Sequence, residues 1–137
     1  MLIDPCNPKY RLDIASMDLT HLEFIELVNA LGSADKQRFI ELFDRLLVHT
    51  QAHFEAENQL MHESGFPAIG EHKAEHERIL GDMHRMGARV SLGNTLIPRA
   101  FIKDHIPSWF ELHAQTMDSA LAAHIKNLNQ HKIQIET

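Results

Sequence analysis

The chain has 137 residues, 44% hydrophobic and 23% charged, with a formal net charge of −6 and one cysteine. That length suits a single domain, residues 1–137, around one buried core, and the composition excludes disordered and collagen-like classes. The acidic balance gives no basic face for a phosphate backbone or an anionic lipid; Cys6 has no partner for an internal disulfide, and no stretch of about 18 apolar residues occurs, so a cytoplasmic protein with neither nucleic acid nor membrane as partner is expected.

Residues 1–16, with Pro5 and Pro8 and no helical period, read as an arm packed across the domain, with no basic segment and apolar run of a leader peptide. Asp18 then reads as an N-cap, and His21, Phe24, Ile25 and Val28 follow at the spacing of one helical face, ending at Gly32. Ser33 reads as the cap of a second helix over residues 36–63, with Phe39, Leu42, Phe43, Leu46 and Leu47 as its apolar stripe and Gly65 as its stop. A third helix runs from about Pro67 to Leu92, turning Ile79, Leu80 and Met83 inward, and Gly93 closes it. The fourth, about Pro98 to Leu128, contains Pro107, which removes an amide donor and should interrupt the helix near Lys103. Four helical segments on short turns make an all-α, antiparallel up-down four-helix bundle over about residues 17–128, with an extended N-terminal arm.

Histidine is the outlier, at 11 residues. His53 and Glu57 stand four apart on the second helix, about 40° apart around its axis, so both reach one point. The third helix repeats the device with His72 and His76; the first adds His21, and the fourth adds His113 and Asp118. Five imidazoles and two carboxylates without a thiolate suit iron or manganese, and they are too many for one tetrahedral zinc. Two metal ions are implied, each carboxylate able to span the pair, with three histidines on one ion and two on the other. His113 and Asp118 are five apart, about 140° around a regular α-helix, and can share a site only across a π-bulge, expected between Trp109 and Leu121. His49 reads as a neighbour of the site or a surface residue, and His62, His84, His105, His124 and His131 as non-ligands.

Asp18-x-x-His21, His53-Phe54-x-x-Glu57, His72-x-x-x-His76 and Trp109-x-x-x-His113-x-x-x-x-Asp118 resemble, in order, the ligand motifs of the hemerythrin family, over roughly residues 15–125. Single-domain bacterial members are the most similar in layout. The resemblance implies that His72, His76 and His113 hold one iron, that His21 and His53 hold the other, and that Glu57, Asp118 and an oxo or hydroxo group bridge them. It also implies that dioxygen, or another small diatomic or oxidant, binds at the iron with two histidines, with no side chain acting as a catalytic acid. A dry pocket would favour reversible binding, and Phe24, Phe54, Trp109, Phe110 and Met117, each beside or one turn from a ligand position, are the candidates for its walls. Asn58 departs from the family pattern, standing where many members repeat an acidic residue. Ferritin-like di-iron bundles use Glu-x-x-His pairs, and no histidine here has a glutamate three before it.

Function is then expected to be reversible dioxygen binding, for transport, storage or sensing, without enzymatic turnover. A di-iron redox protein acting on peroxide or nitric oxide and an iron-storing or metal-binding module are the alternatives; protein partners and oligomeric state do not follow from the residues.

Overall fold

A computed structural model describes residues 1–136, with side chains through residue 131. The chain begins as an arm with one 3-10 turn at Pro8–Tyr10, capped by the Asn7 side chain. Three long helices follow, α1 (Ala15–Ser33), α2 (Lys36–Ser64) and α3 (Ile69–Ser91), and then a fourth rod over residues 96–136. This rod is built in five pieces: α4 (Leu96–Ala100), a π-turn (Phe101–His105), α5 (Ile106–His113), a second π-turn (Ala114–Asp118) and α6 (Ser119–Glu136). Links as short as residues 34–35 and 65–68 leave each helix nowhere to go but back along its predecessor, which produces the expected bundle. Gly65 supplies the left-handed conformation, φ 64°, that ends α2 and turns the chain.

Several expected boundaries shift for local reasons. α1 begins at Ala15, and Asp18 lies inside its first turn rather than at its cap. From there the Asp18 carboxylate reaches back to accept from the amides of Leu12, at 2.8 Å, and Asp13, at 3.1 Å, so it ties the arm to the helix. Gly32 lies inside α1, which ends at Ser33, and Asp35 rather than Ser33 caps α2, accepting from the Arg38 amide at 2.8 Å. The arm is pinned further by Asn29, whose Oδ1 accepts from the amides of Leu2 and Ile3, both at 2.9 Å, while its Nδ2 donates to the Ile3 carbonyl at 2.8 Å.

Pro107 acts where expected. The π-turn Phe101–His105 precedes it, and the Ile106 amide bonds back five residues to the Phe101 carbonyl. The wider turn absorbs the missing proline amide, so the rod continues instead of breaking.

The core is in two parts. A large cluster includes Phe24, Val28, Phe43, Leu46, Phe54, Ile79, Ile106, Phe110 and Ala114, and a smaller one holds Leu12, Met17, Met61, Phe66, Leu121 and Ala122. Along every helix the step from one cluster to the other crosses polar residues: His21 between Met17 and Phe24, His53 and Glu57 between the upper α2 stripe and Met61, His72 and His76 between Phe66 and Ile79, and Asp118 between Ala114 and Leu121. A buried polar layer therefore divides the apolar core.

Candidate metal centre

Seven polar side chains form that layer, and they are the seven singled out by spacing. His21, Glu57, His72, His76, His113 and Asp118 are at most 4% exposed, and His53 is the most open at 9%. Their donor atoms converge in two groups, each with all atoms within 4.8 Å of one another: Glu57, His72, His76, His113 and Asp118 in one, and His21, His53 and Glu57 in the other.

The second π-turn makes this convergence possible. Ala114–Asp118 is wound wide, so His113 before it and Asp118 at its end face the same centre, with His113 Nε2 3.1 Å from Asp118 Oδ1. A π-turn leaves carbonyls without their regular amide partners, and nearby hydroxyls supply donors: Thr116 Oγ1 donates to the Leu112 carbonyl and Ser119 Oγ to the Gln115 carbonyl, both at 2.7 Å.

Each carboxylate is divided between the two groups. Glu57 Oε1 lies 3.3 Å from Nε2 of both His72 and His76, while Oε2 contacts His53 Nε2. Asp118 Oδ1 lies 3.1 Å from Nε2 of His72 and of His113, while Oδ2 lies 2.9 Å from His21 Nε2. One oxygen of each carboxylate thus lies on the side of His72, His76 and His113, and the other on the side of His21 and His53.

Apart from the one between His53 Nε2 and Glu57 Oε2, these close approaches are not hydrogen bonds. Nε2 of His21, His72, His76 and His113, Oε1 of Glu57 and both oxygens of Asp118 are buried without a hydrogen-bond partner, a costly condition for polar atoms in a core. A cation resolves it. Ligands about 2.1 Å from a six-coordinate metal lie about 3 Å from each other, the spacing seen here, so the donors fit two cations sharing two carboxylates.

The electrostatics agree. Burial and the Asp118 charge push the Glu57 carboxyl up, but contact with His53, His72 and His76 outweighs them and holds it below the ordinary range. Burial raises Asp118 too, and His113, His21 and His72 hold it well down. Burial pulls His72 down, yet Asp118 and Glu57 lift it to about 9. At neutral pH both carboxylates are charged, as metal ligands must be, and His72 keeps a proton that a cation would displace.

Around the donors lies an apolar sleeve. Phe54 stacks on His76 at 3.9 Å and Trp109 on His113 at 4.7 Å, while Phe110 meets His21 edge-on at 5.3 Å. Phe24, Phe54, Trp109 and Phe110 wall a small cleft that reaches His53, His113 and Asp118, with about 10 Å³ of free space, room for about one water-sized occupant. Met117 is half-buried and is not among the residues lining this cleft.

Two residues support the donors in ways the sequence did not assign. Asn58 Oδ1 lies 2.9 Å from His76 Nδ1 and accepts its proton, which leaves Nε2 as the free lone pair facing Glu57. Asn58 and His76 are equidistant from the turn after Gly65, and an antiparallel helix pair sets such positions side by side; that symmetry was the available signal. Glu75 Oε1 accepts from Trp109 Nε1 at 2.8 Å and fixes the indole over His113. The remaining histidines lie outside the two donor groups: His62, His84, His105 and His131 are exposed, and His124 bonds the Ser64 carbonyl at 2.8 Å. His49 is half-buried, 3.9 Å from Glu23, with its ring 6.2 Å from that of His53.

A family model described as the hemerythrin HHE cation binding domain matches residues 12–131. The chain is similar to the bacteriohemerythrin of Ralstonia nicotianae, with 31% identity over 104 residues, covering 76% of this chain and 75% of that protein. It is similar to the bacteriohemerythrin of Aquifex aeolicus, with 30% identity over 129 residues, covering 89% and 96%, and to that of Stenotrophomonas maltophilia, with 27% over 124 residues, covering 87% and 80%. No solved structure gives a match.

Proposed function

Because the chain belongs to the hemerythrin family, we propose that His21, His53, Glu57, His72, His76, His113 and Asp118 hold two iron ions and that the protein binds dioxygen reversibly, as a carrier, store or sensor. His72, His76 and His113 serve one ion and His21 and His53 the other, with Glu57 and Asp118 bridging alongside an oxo or hydroxo group. The observation that carries this reading is the division of each carboxylate between a three-imidazole and a two-imidazole side. Such an iron pair supplies reversible two-electron exchange with a small oxidant.

The chain's own contribution is to fix the donors and to wall the aromatic cleft against water. Two carboxylates and five neutral imidazoles offset the charge of the ions inside a low-dielectric layer, where unpaired charge would be prohibitive. The unequal division leaves the two-imidazole side with fewer protein donors. The cleft of Phe24, Phe54, Trp109 and Phe110 reaches His53 on that side, and its walls carry no acid or base beyond the proposed ligands. Limited water and the lack of a proton donor favour release of the bound molecule unchanged. Among the described residues no helix is long and apolar enough to cross a membrane.

Cycling the reduced, iron-loaded protein between air and argon tests the reading. The expected result is an absorbance change that returns over many cycles. Irreversible bleaching on first exposure to air counts against reversible binding, and steady consumption of peroxide or nitric oxide with an added reductant assigns the site to a redox enzyme.

A further inference from the structure

The buried layer is open to solvent along a groove between α1 and α2, with about 340 Å³ of free space. Its rim is Ser16, Ala56, Gln59 and Glu63, all exposed, and its floor includes His53 and Glu57. His53 is the most exposed of the seven donors, and Glu57 Oε1 is buried without a hydrogen-bond partner. A second groove, of about 380 Å³, runs beneath the N-terminal arm to His21.

The two openings differ in chemistry. Among the residues lining the first there is no lysine or arginine, and carboxylates stand at both ends: Glu63 at the mouth, held by a hydrogen bond from Gln59 Nε2 at 2.9 Å, and Glu57 at the floor. Ser16, Thr20 and Gln59 add neutral oxygens between them that can replace lost hydration. The groove under the arm carries Arg11 among its lining, with proline and aliphatic side chains and only Asp18 as a carboxylate, already bonded to the Leu12 and Asp13 amides. The aromatic cleft, at about 10 Å³, is too tight for a hydrated ion.

We propose that the groove between α1 and α2 is the route by which divalent metal ions reach the buried centre, with Glu63 as the outer attracting group and Glu57 as the first ligand met inside. The proposal rests on the reading of the seven residues as a metal centre. A carboxylate at the mouth raises the local cation concentration and its arrival rate without itself holding the bound ions, so the signature of Glu63 is kinetic.

The experiment follows Co(II) uptake by the metal-free full chain by stopped-flow absorbance, with final content measured by metal analysis. Ala56→Phe, on an exposed position, narrows the mouth, and Glu63→Lys reverses its charge. Both are expected to slow uptake about ten-fold while the final content stays at the parental two ions, and the Glu63→Lys effect should shrink as salt is raised. Leu22→Phe, in the groove under the arm, should load at the parental rate. Parental rates for both Ala56→Phe and Glu63→Lys, or slowing by Leu22→Phe instead, would overturn the route while leaving the centre intact. Failure of the parent chain to take up two ions would instead remove the centre itself.

Discussion

Glu57→Ala is expected to lose both iron ions, not one. Glu57 Oε1 faces His72 and His76 while Oε2 faces His53, so its removal takes a donor from each side of the pair and the strap between them. An indirect supporting contact to a metal typically changes affinity 10–100-fold, and a shared direct ligand should exceed about 100-fold at both sites. The fold should survive, because Glu57 lies in the polar layer between two apolar clusters that keep all their members. Metal analysis and far-ultraviolet circular dichroism on one sample separate the outcomes. Full helicity with less than one iron per chain is the expected pair; retention of two irons would show that Glu57 is not shared. The parent should gain thermal stability on iron loading, since a ligand that binds only the folded chain shifts unfolding by mass action, and the variant should gain little.

The second large effect concerns the π-turn Ala114–Asp118. Inserting one alanine between Gln115 and Thr116 should rotate Asp118 by about 100° and carry it about 1.5 Å along the axis, away from His21, His72 and His113. Metal binding should then be abolished. Deleting Thr116, which is exposed, has the opposite logic: the pair becomes spaced by four, and a regular α-helix holds such residues about 40° apart on one face. The deletion is expected to keep two irons with weakened affinity. A tolerated insertion combined with a deletion that abolishes binding would contradict the role assigned to the turn. The deletion also removes the Thr116 hydroxyl and its bond to the Leu112 carbonyl.

What could be read from the sequence was what rests on short-range geometry. Helical spacing alone put Phe24, Ile25 and Val28 on one face, paired His53 with Glu57 and His72 with His76, and required a π-turn between His113 and Asp118, and the structure brings these together. Pro107 announced a disturbance near Lys103, and it is there as a π-turn. Misread features depend on where a side chain turns after the backbone is set. Asp18 has a capping residue's composition, but its carboxylate bonds backward to the arm because Asp13, at φ 61°, folds the Leu12 and Asp13 amides toward it. Gly32 looks like a stop but lies inside α1, where a Cβ would come within 2.8 Å of Leu2 in the arm. Met117, next to Asp118, was expected in the pocket wall, yet a neighbour in sequence is about 100° away around a helix, and it does not line the cleft. Asn58 and Glu75 act across helices, through His76 and Trp109, and no local pattern marks such partners.

The supports also suggest why the donors stay in place before any ion arrives. Phe54 and Trp109 lie flat on two of the imidazoles, Asn58 fixes the tautomer of His76, and Glu75 anchors the indole. His76, held on edge and face, and His113, held on one face, have few other rotamers, so little conformational entropy is lost on metal binding.

The most direct test is the iron content of the purified, aerobically loaded protein measured together with its near-ultraviolet spectrum. Two irons per chain, with the absorption bands of an oxo-bridged ferric pair, is the result expected from seven donors with two carboxylates shared between three and two imidazoles. One tightly bound metal per chain, or two without the bridge absorption, would contradict the shared centre and the function built on it.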